Sequence, residues 1–482
     1  MRRRGGYAAR VLGISLSGFA VATALLAFAA WVMRDPWSGF ALSSVLAATL
    51  GIPAWSWGRS DGHPSRREAL GSVLLLWLAL PLLGMIPFAV TGGMGWLDAW
   101  FEATSGFTAT GATAILDFSK FTPTLFIWRS FSQWVGGIGI IALFVAVFPQ
   151  LAIAGRQLFV AEMPGPTEEQ FTPRLRQTAR TLLSVYVLMT VVAGLAYLAA
   201  GLTPFQALTH AMTTVSAAGF SPEARSFEGF GAAVQWVSIV FMTLAGANFV
   251  LQFRLLTGRP GALFRDAEFR AYLAIFALSG AALTLLLWPL YGGDSVRHAL
   301  FQAISIMTTT GYASVDFGTW GTPAQTVLVL LMFVGGSAGS AAGGIKVIRL
   351  LIIAKNTARE VRRVLHPKGV LPVRVGDRII PEDVLRSVSA FVTLYAFLFA
   401  FLVTSLALMG VEFTTAFTAS IATLGNVGPG LGAVGPMESF AVLPNPAKAL
   451  LTFAMYAGRL EVIAVFVMFT PDVWRTPRPW RA

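Results

Sequence analysis

Long apolar blocks separated by short polar or basic connections dominate this chain. They lie near 11–32, 39–57, 70–90, 124–148, 181–201, 232–252, 271–291, 324–354, 388–410 and 447–470. Each is long enough to cross about 30 Å of hydrocarbon as a helix, which takes roughly 17–25 residues. Ten crossings are therefore predicted. Arg2, Arg3 and Arg4 precede the first block and Ala27-Phe28-Ala29 mimics a cleavage site. The apolar run is nevertheless longer than a typical signal core, so a retained helix is expected over a cleaved leader.

A second pattern sits between these blocks. Four segments end in glycine inside apolar sequence: Thr108-Ala109-Thr110-Gly111, Ser216-Ala217-Ala218-Gly219, Thr308-Thr309-Thr310-Gly311 and Gly425-Asn426-Val427-Gly428. Aligned on those glycines, alanine recurs twelve residues upstream as Ala99, Ala207, Ala299 and Ala416, and a small residue recurs eight upstream as Ala103, Ala211, Ala303 and Ser420. Positions four apart share a helix face. Each unit thus reads as a short helix with a small-residue packing face, running into an irregular loop whose glycine takes backbone angles closed to other residues. Four units are expected at 68–150, 175–257, 266–363 and 382–475, behind an N-terminal helix pair at 1–60.

Composition agrees: 55% of residues are hydrophobic, 12% are charged, and the mean hydropathy is +0.69 over 482 residues. The fold class expected is an all-α polytopic membrane protein with four pseudo-repeated helix, pore loop, helix units around one pore. Basic residues fall in every second connection: Arg2 to Arg4; Arg66 and Arg67; Arg156, Arg174, Arg176 and Arg180; Arg254, Arg259, Arg265 and Arg270; Arg349 to Arg386; and Arg475, Arg478 and Arg481. The positive-inside rule puts these connections and both termini in the cytoplasm, which accounts for the net charge of +12 without nucleic acid. The cluster of Arg359, Arg362, Arg363 and Lys368 also offers a cationic face to anionic lipid or an acidic partner.

Non-helical backbone cannot face lipid, so four loops at membrane depth must be buried against each other or line a wet cavity. Ringed carbonyls can replace the hydration shell of an alkali cation, and helix C-termini aimed at the ring add negative potential. The chemistry implied is conduction without a covalent step. Asp117, Glu223, Glu228, Asp316 and Glu438 lie around the outer mouth, where attraction of cations is one reading and solvated loop acids the favoured one. The chain has four histidines and no cysteine, and His210 and His298 show no metal-ligand spacing. An enzyme would need convergent titratable groups at membrane depth, and almost none are present. An alternating-access symporter would usually show inverted repeats, whereas these four units share one orientation.

With these motifs the chain resembles the TrkH branch of the bacterial TrkH/KtrB superfamily of potassium transporters and channels. Further carriers of the resemblance are Ser132-Gln133-Trp134-Val135-Gly136-Gly137-Ile138-Gly139-Ile140, Ala161-Glu162-Met163-Pro164-Gly165-Pro166, Gly335-Gly336-Ser337-Ala338-Gly339-Ser340 leading to Gly343-Gly344-Ile345-Lys346, and Gly458-Arg459-Leu460-Glu461. The resemblance implies a potassium filter at Thr110, Gly111, Ala218, Gly219, Thr310, Gly311, Val427 and Gly428, with potassium as substrate and no covalently bound cofactor. It further implies a homodimer in the bacterial cytoplasmic (inner) membrane, above cytosolic TrkA-like regulatory subunits that bind NAD or ATP/ADP. An ion-coupled potassium symporter or a sodium-permeable relative is the alternative. The fourth loop departs from the pattern through Gly425-Asn426-Val427 and through Pro429, which removes a donor and restricts Gly428.

Gly335, Gly336, Gly339, Gly343 and Gly344 interrupt what should be a spanning helix, at roughly 1 kcal/mol each relative to alanine, so a break is predicted there. The run ending in Lys346 lacks the Gly-Lys-Ser/Thr ending of a phosphate loop. Close helix packing and a mobile gate both remain open, and the resemblance favours the gate. Arg459 lies within the last apolar block, where a charge must face partners or water. The resemblance places it in the pathway, and an interhelical ion pair is the competing role. Arg129, near Asp98 and Glu102 in chain order, is expected to brace the first pore helix.

Overall fold

The computed structural model describes residues 6–58, 66–146, 171–258 and 261–470. The arginines at 2–4, 156, 259, 475, 478 and 481, the 161–166 motif and the unit limits drawn at 150 and 475 lie outside the described residues. The architecture is all-α. Among the described residues the β structure is one small hairpin, Arg374–Val375 with Arg378–Ile379.

Helices α1 (Gly6–Met33) and α2 (Ser38–Trp57) form an antiparallel pair. Small residues let their backbones touch: a Cβ on Gly13 would overlap the Trp55 backbone, and one on Gly51 would lie 2.8 Å from Ser17 N. The pair leans on the first unit, where Ser43 Oγ donates to Leu83 O (2.8 Å) and Phe19 meets Trp128 edge-on at 5.5 Å.

Unit 1 comprises α3 (Arg66–Ile86), the pore helix α4 (Trp96–Phe107) and α5 (Pro123–Ala146). Unit 2 comprises α6 (Phe171–Ala199), pore helix α7 (Pro204–Val215), then α8 (Ala232–Ala245) and α9 (Phe249–Leu256). After the short α10 (Gly261–Arg265), unit 3 comprises α11 (Ala267–Tyr291), pore helix α12 (Ser295–Met307), α13 (Thr322–Met332) and α14 (Val347–Leu365). Unit 4 comprises α15 (Glu382–Leu408), pore helix α16 (Phe413–Leu424), α17 (Asn445–Arg459) and α18 (Val462–Phe469). The small residues twelve and eight before each glycine are all buried, as a close-packed helix face requires.

Among the described residues six helical stretches are long and apolar enough to span a membrane, those of α1, α2, α3, α6, α11 and α15. The remaining predicted crossings are the second helices of the units, and three of these are interrupted. The break in unit 3, between α13 and α14, is where the glycines predict it. Two others correct the sequence reading. The block at 232–252 bends by 107° between α8 and α9, because Asn248 starts a new helix with its side chain accepting from Val250 N (2.8 Å). The block at 447–470 breaks at Glu461, which stands at φ 69°.

Candidate functional site: a ring of four helix ends and the loop beneath it

All four pore helices end in the same way. In the first, Ala109 N donates to Gly106 O and Thr110 N to Ser105 O; Ala217 and Ala218, Thr309 and Thr310, and Asn426 and Val427 repeat both bonds. This is a Schellman ending, and its left-handed residue is Ala109 (φ 51°), Ala217 (52°), Thr309 (58°) or Asn426 (54°). Two residues on, Gly111, Gly219, Gly311 and Gly428 are again at positive φ, from 77° to 101°. The chain therefore turns twice in three residues, and the carbonyl between the two turns is the one each unit presents to its neighbour.

Those carbonyls close a cycle. A Cβ on Gly111 would strike the Ala218 oxygen, one on Gly219 the Thr310 oxygen, and one on Gly311 the Val427 oxygen; on Gly428 it would lie 2.9 Å from Thr110 O. Each predicted glycine thus abuts the predicted carbonyl of the next unit, in the order 1, 2, 3, 4 and back to 1. No room exists for a side chain, and the φ values alone disfavour one. The fourth loop is integrated rather than defective. Asn426 Nδ2 donates to Thr110 Oγ1 (2.9 Å) and Met455 O (3.0 Å), and Pro429 packs against Gly311.

The outer limb of each loop is held from its own pore helix, by positions the sequence pattern did not reveal. Nine residues before the glycine, Glu102 accepts from Ala114 N (2.7 Å), Gln302 Oε1 accepts from Ser314 N (3.1 Å), and His210 meets Ser221. His210 Nδ1 donates to Gln206 O (2.8 Å), which leaves Nε2 to accept from Ser221 Oγ (3.1 Å). The fourth unit uses Thr418 Oγ1, which accepts from Leu431 N (2.9 Å). Arg129 braces the first helix through Glu102 (2.6 Å), as expected, and also donates to Ser221 O (2.7 Å) and lies over the Phe220 ring (3.6 Å). Asp98 pairs with Lys448 instead. His298 meets Ser314 Oγ (3.0 Å), and among the described residues no cluster could hold a metal through histidine or carboxylates.

Outside the ring, a vestibule touches all four glycines and is fronted by Glu223 and Glu438. Asp117, Glu228 and Asp316 are engaged locally. Asp117 accepts from Ser119, which holds its carboxyl below the usual range, Glu228 pairs with Arg225, and Asp316 caps Gly318.

On the other side of the ring lies the unwound segment 333–346. Gly343 N donates to Thr309 Oγ1 (2.7 Å), and a Cβ on Gly343 would lie 2.5 Å from Gly425 O, so the segment touches the helix ends of units 3 and 4. It also fills the break between α8 and α9: Ser337 N donates to Gly246 O (2.9 Å), Ala341 N to Ala245 O (3.2 Å), and Phe249 N to Gly339 O (3.0 Å). Gly335, Gly339 and Gly344 are at positive φ, as is Lys346 (83°), whose ammonium donates to Ala342 O. Gly336 is held close to Gly246 O instead, where a Cβ would lie 2.9 Å away.

Arg459 ends α17 beside this segment and is buried. Its Nη1 donates to Ala341 O (2.9 Å) and its Nη2 to Gly136 O (3.2 Å), which ties unit 4 to the unwound segment and to α5. Among the described residues no carboxylate pairs with it. Glu461 pairs instead with Arg349 on α14 (2.9 Å), so the interhelical ion pair predicted as the competing role of Arg459 belongs to a different arginine.

Apolar spanning helices around a closed ring of backbone carbonyls form the architecture of a membrane cation transporter. The chain belongs to the TrkH family of cation transport proteins, whose model matches residues 76–475. It is 35% identical over 478 residues to the Trk system potassium uptake protein TrkH of Salmonella typhimurium, covering 97% of this chain and 98% of that one. It is likewise 35% identical over 449 residues to the TrkG protein of Escherichia coli K12, with 91% and 92% covered. The crystal structure of the potassium transporter TrkH from Vibrio parahaemolyticus superposes with a TM-score of 0.87 at 33% identity, covering 98% of this chain and 100% of that one. Membership of this family makes the chain a transporter and not an enzyme.

Proposed function

We propose that the chain is a Trk system potassium uptake protein that passes potassium along the axis enclosed by the four glycine loops. The observation that carries this reading is the cyclic abutment of Gly111, Gly219, Gly311 and Gly428 on the Ala218, Thr310, Val427 and Thr110 carbonyls. Oxygens crowded around one axis at the C-terminal ends of four helices favour a dehydrated monovalent cation. Relatives covering nearly the whole chain are named potassium uptake proteins, which supports potassium as the cation.

In this reading the 333–346 segment is a gate under the ring and Arg459 is its latch and an electrostatic barrier. The protein sits in the cytoplasmic membrane as a homodimer, with both termini inside and with cytosolic nucleotide-binding subunits acting on the gate. The test is potassium and sodium flux into vesicles containing the purified protein, with and without a proton gradient. Potassium flux that follows its own gradient supports conduction. Flux that requires the proton or sodium gradient makes the protein a symporter, and sodium passing as readily as potassium overturns the selectivity.

A further inference from the structure

The ring is chemically uneven at one quadrant. Gln133, on α5 of unit 1, reaches across to the loop of unit 2 and straddles Gly219: its Nε2 donates to Ala218 O (2.7 Å), and its Oε1 accepts from Phe220 N (3.0 Å). The assignment of its amide is fixed by these partners, since the reverse orientation would face acceptor to acceptor and donor to donor. Gln133 is completely buried. Ala218 O is also the oxygen against which Gly111 abuts. Among the described residues no side chain donates to Thr110 O, Thr310 O or Val427 O, so one ring oxygen of four is hydrogen-bonded by a side chain from outside the ring and the other three are not.

We propose that Gln133 is a positioning residue for ion selectivity, holding the Ala218 carbonyl at a fixed orientation toward the axis and stopping the peptide that follows it from rotating. A carbonyl with one lone pair committed to a buried amide keeps its direction when a smaller ion calls for inward collapse, and its share of the ring field is set by that bond. The inference rests on the reading of the ring as the potassium pathway.

The experiment compares potassium, rubidium and sodium flux through vesicles containing the parent, Gln133→Met, Gln133→Glu or Gly219→Ala, with thermal stability in detergent measured on the same preparations. Gln133→Met keeps length and removes both bonds. Gln133→Glu keeps an acceptor for Phe220 N but opposes Ala218 O. Both should lower the potassium to sodium ratio by roughly two- to tenfold, the scale of one lost hydrogen bond, with Gln133→Glu at least as severe. A folded Gln133→Met protein with reduced flux for all three ions and an unchanged ratio overturns the inference and leaves Gln133 a packing residue. If Gln133→Met does not fold, Gln133→Glu decides by the same ratio. An unchanged ratio in Gly219→Ala as well would sink the ring reading itself, whereas a ratio that moves only with Gly219→Ala removes Gln133 alone.

Discussion

The carboxylate of Glu461 lies 2.9 Å from the guanidinium of Arg349, with both side chains almost entirely buried. Among the described residues that pairing leaves Arg459, two residues earlier, hydrogen-bonded to backbone carbonyls alone, and the two arginines are therefore expected to answer to mutation in opposite ways.

On the proposed reading of Arg459 as a barrier in the ion path, Arg459→Ala is expected to increase cation flux, because it removes a positive charge from a poorly hydrated region and frees Ala341 O on the unwound segment. Arg459→Lys should keep much of the barrier. Among the described residues neither variant orphans a carboxylate, so neither should show the loss of about 3–5 kcal/mol that follows from breaking a buried pair. Vesicle flux and detergent melting on matched samples check this, and an unstable Arg459→Ala protein that conducts no faster would refute it.

Arg349→Met, by contrast, strands Glu461 and is expected to destabilise the fold by about 3–5 kcal/mol. Exchanging both residues for apolar ones should recover most of that loss. Chemical denaturation of the single and double variants reads the difference.

Gly311→Ser should relax discrimination between potassium and sodium, since its Cβ runs into the Val427 carbonyl and lies 2.8 Å from Pro429 Cδ, at a residue whose φ is 81°. The permeability ratio is the measurement. A folded variant with the parental ratio would take Gly311 out of the selective ring.

Thr309→Val preserves shape but deletes the acceptor for Gly343 N. It is expected to weaken the docking of the unwound segment by about 1 kcal/mol and to raise flux without altering selectivity. Removing residues 336–343 tests the same idea more severely. It should raise flux further and also destabilise the protein, because the broken ends of α8 and α9 lose their partners.

What the sequence made legible was what it repeats. The small residues twelve and eight before each glycine recur at fixed offsets, and they are the buried face of all four pore helices. The first left-handed turn left no such mark, because Ala109, Ala217 and Thr309 occupy a conformation that their side chains disfavour, and only Asn426 is a residue type expected there. The braces nine residues before the glycine were hidden by chemistry: Glu102, His210 and Gln302 share no side-chain type, only a task. The bend at 246–248 was masked by apolar residues on both sides, although Gly246 followed by a helix-capping Asn248 carried a faint signal. Arg459 stood out as a buried charge, but which acid it would leave to Arg349 depended on a helix more than a hundred residues away.

If the 333–346 segment is the gate proposed above, its interlock with the bend of unit 2 ties permeation to wetting. Each element supplies the hydrogen bonds that the other lost by unwinding, so withdrawing the segment exposes Ala245 O, Gly246 O and Phe249 N on one side and Ser337 N, Gly339 O and Ala341 N on the other. Six such groups left unpaired at membrane depth call for replacement partners, and water is the one that a vacated passage supplies. On the proposed reading of this segment as a gate, opening and hydration are a single event, and solutes too large to enter, which draw water out of the passage, would hold it shut without touching the protein.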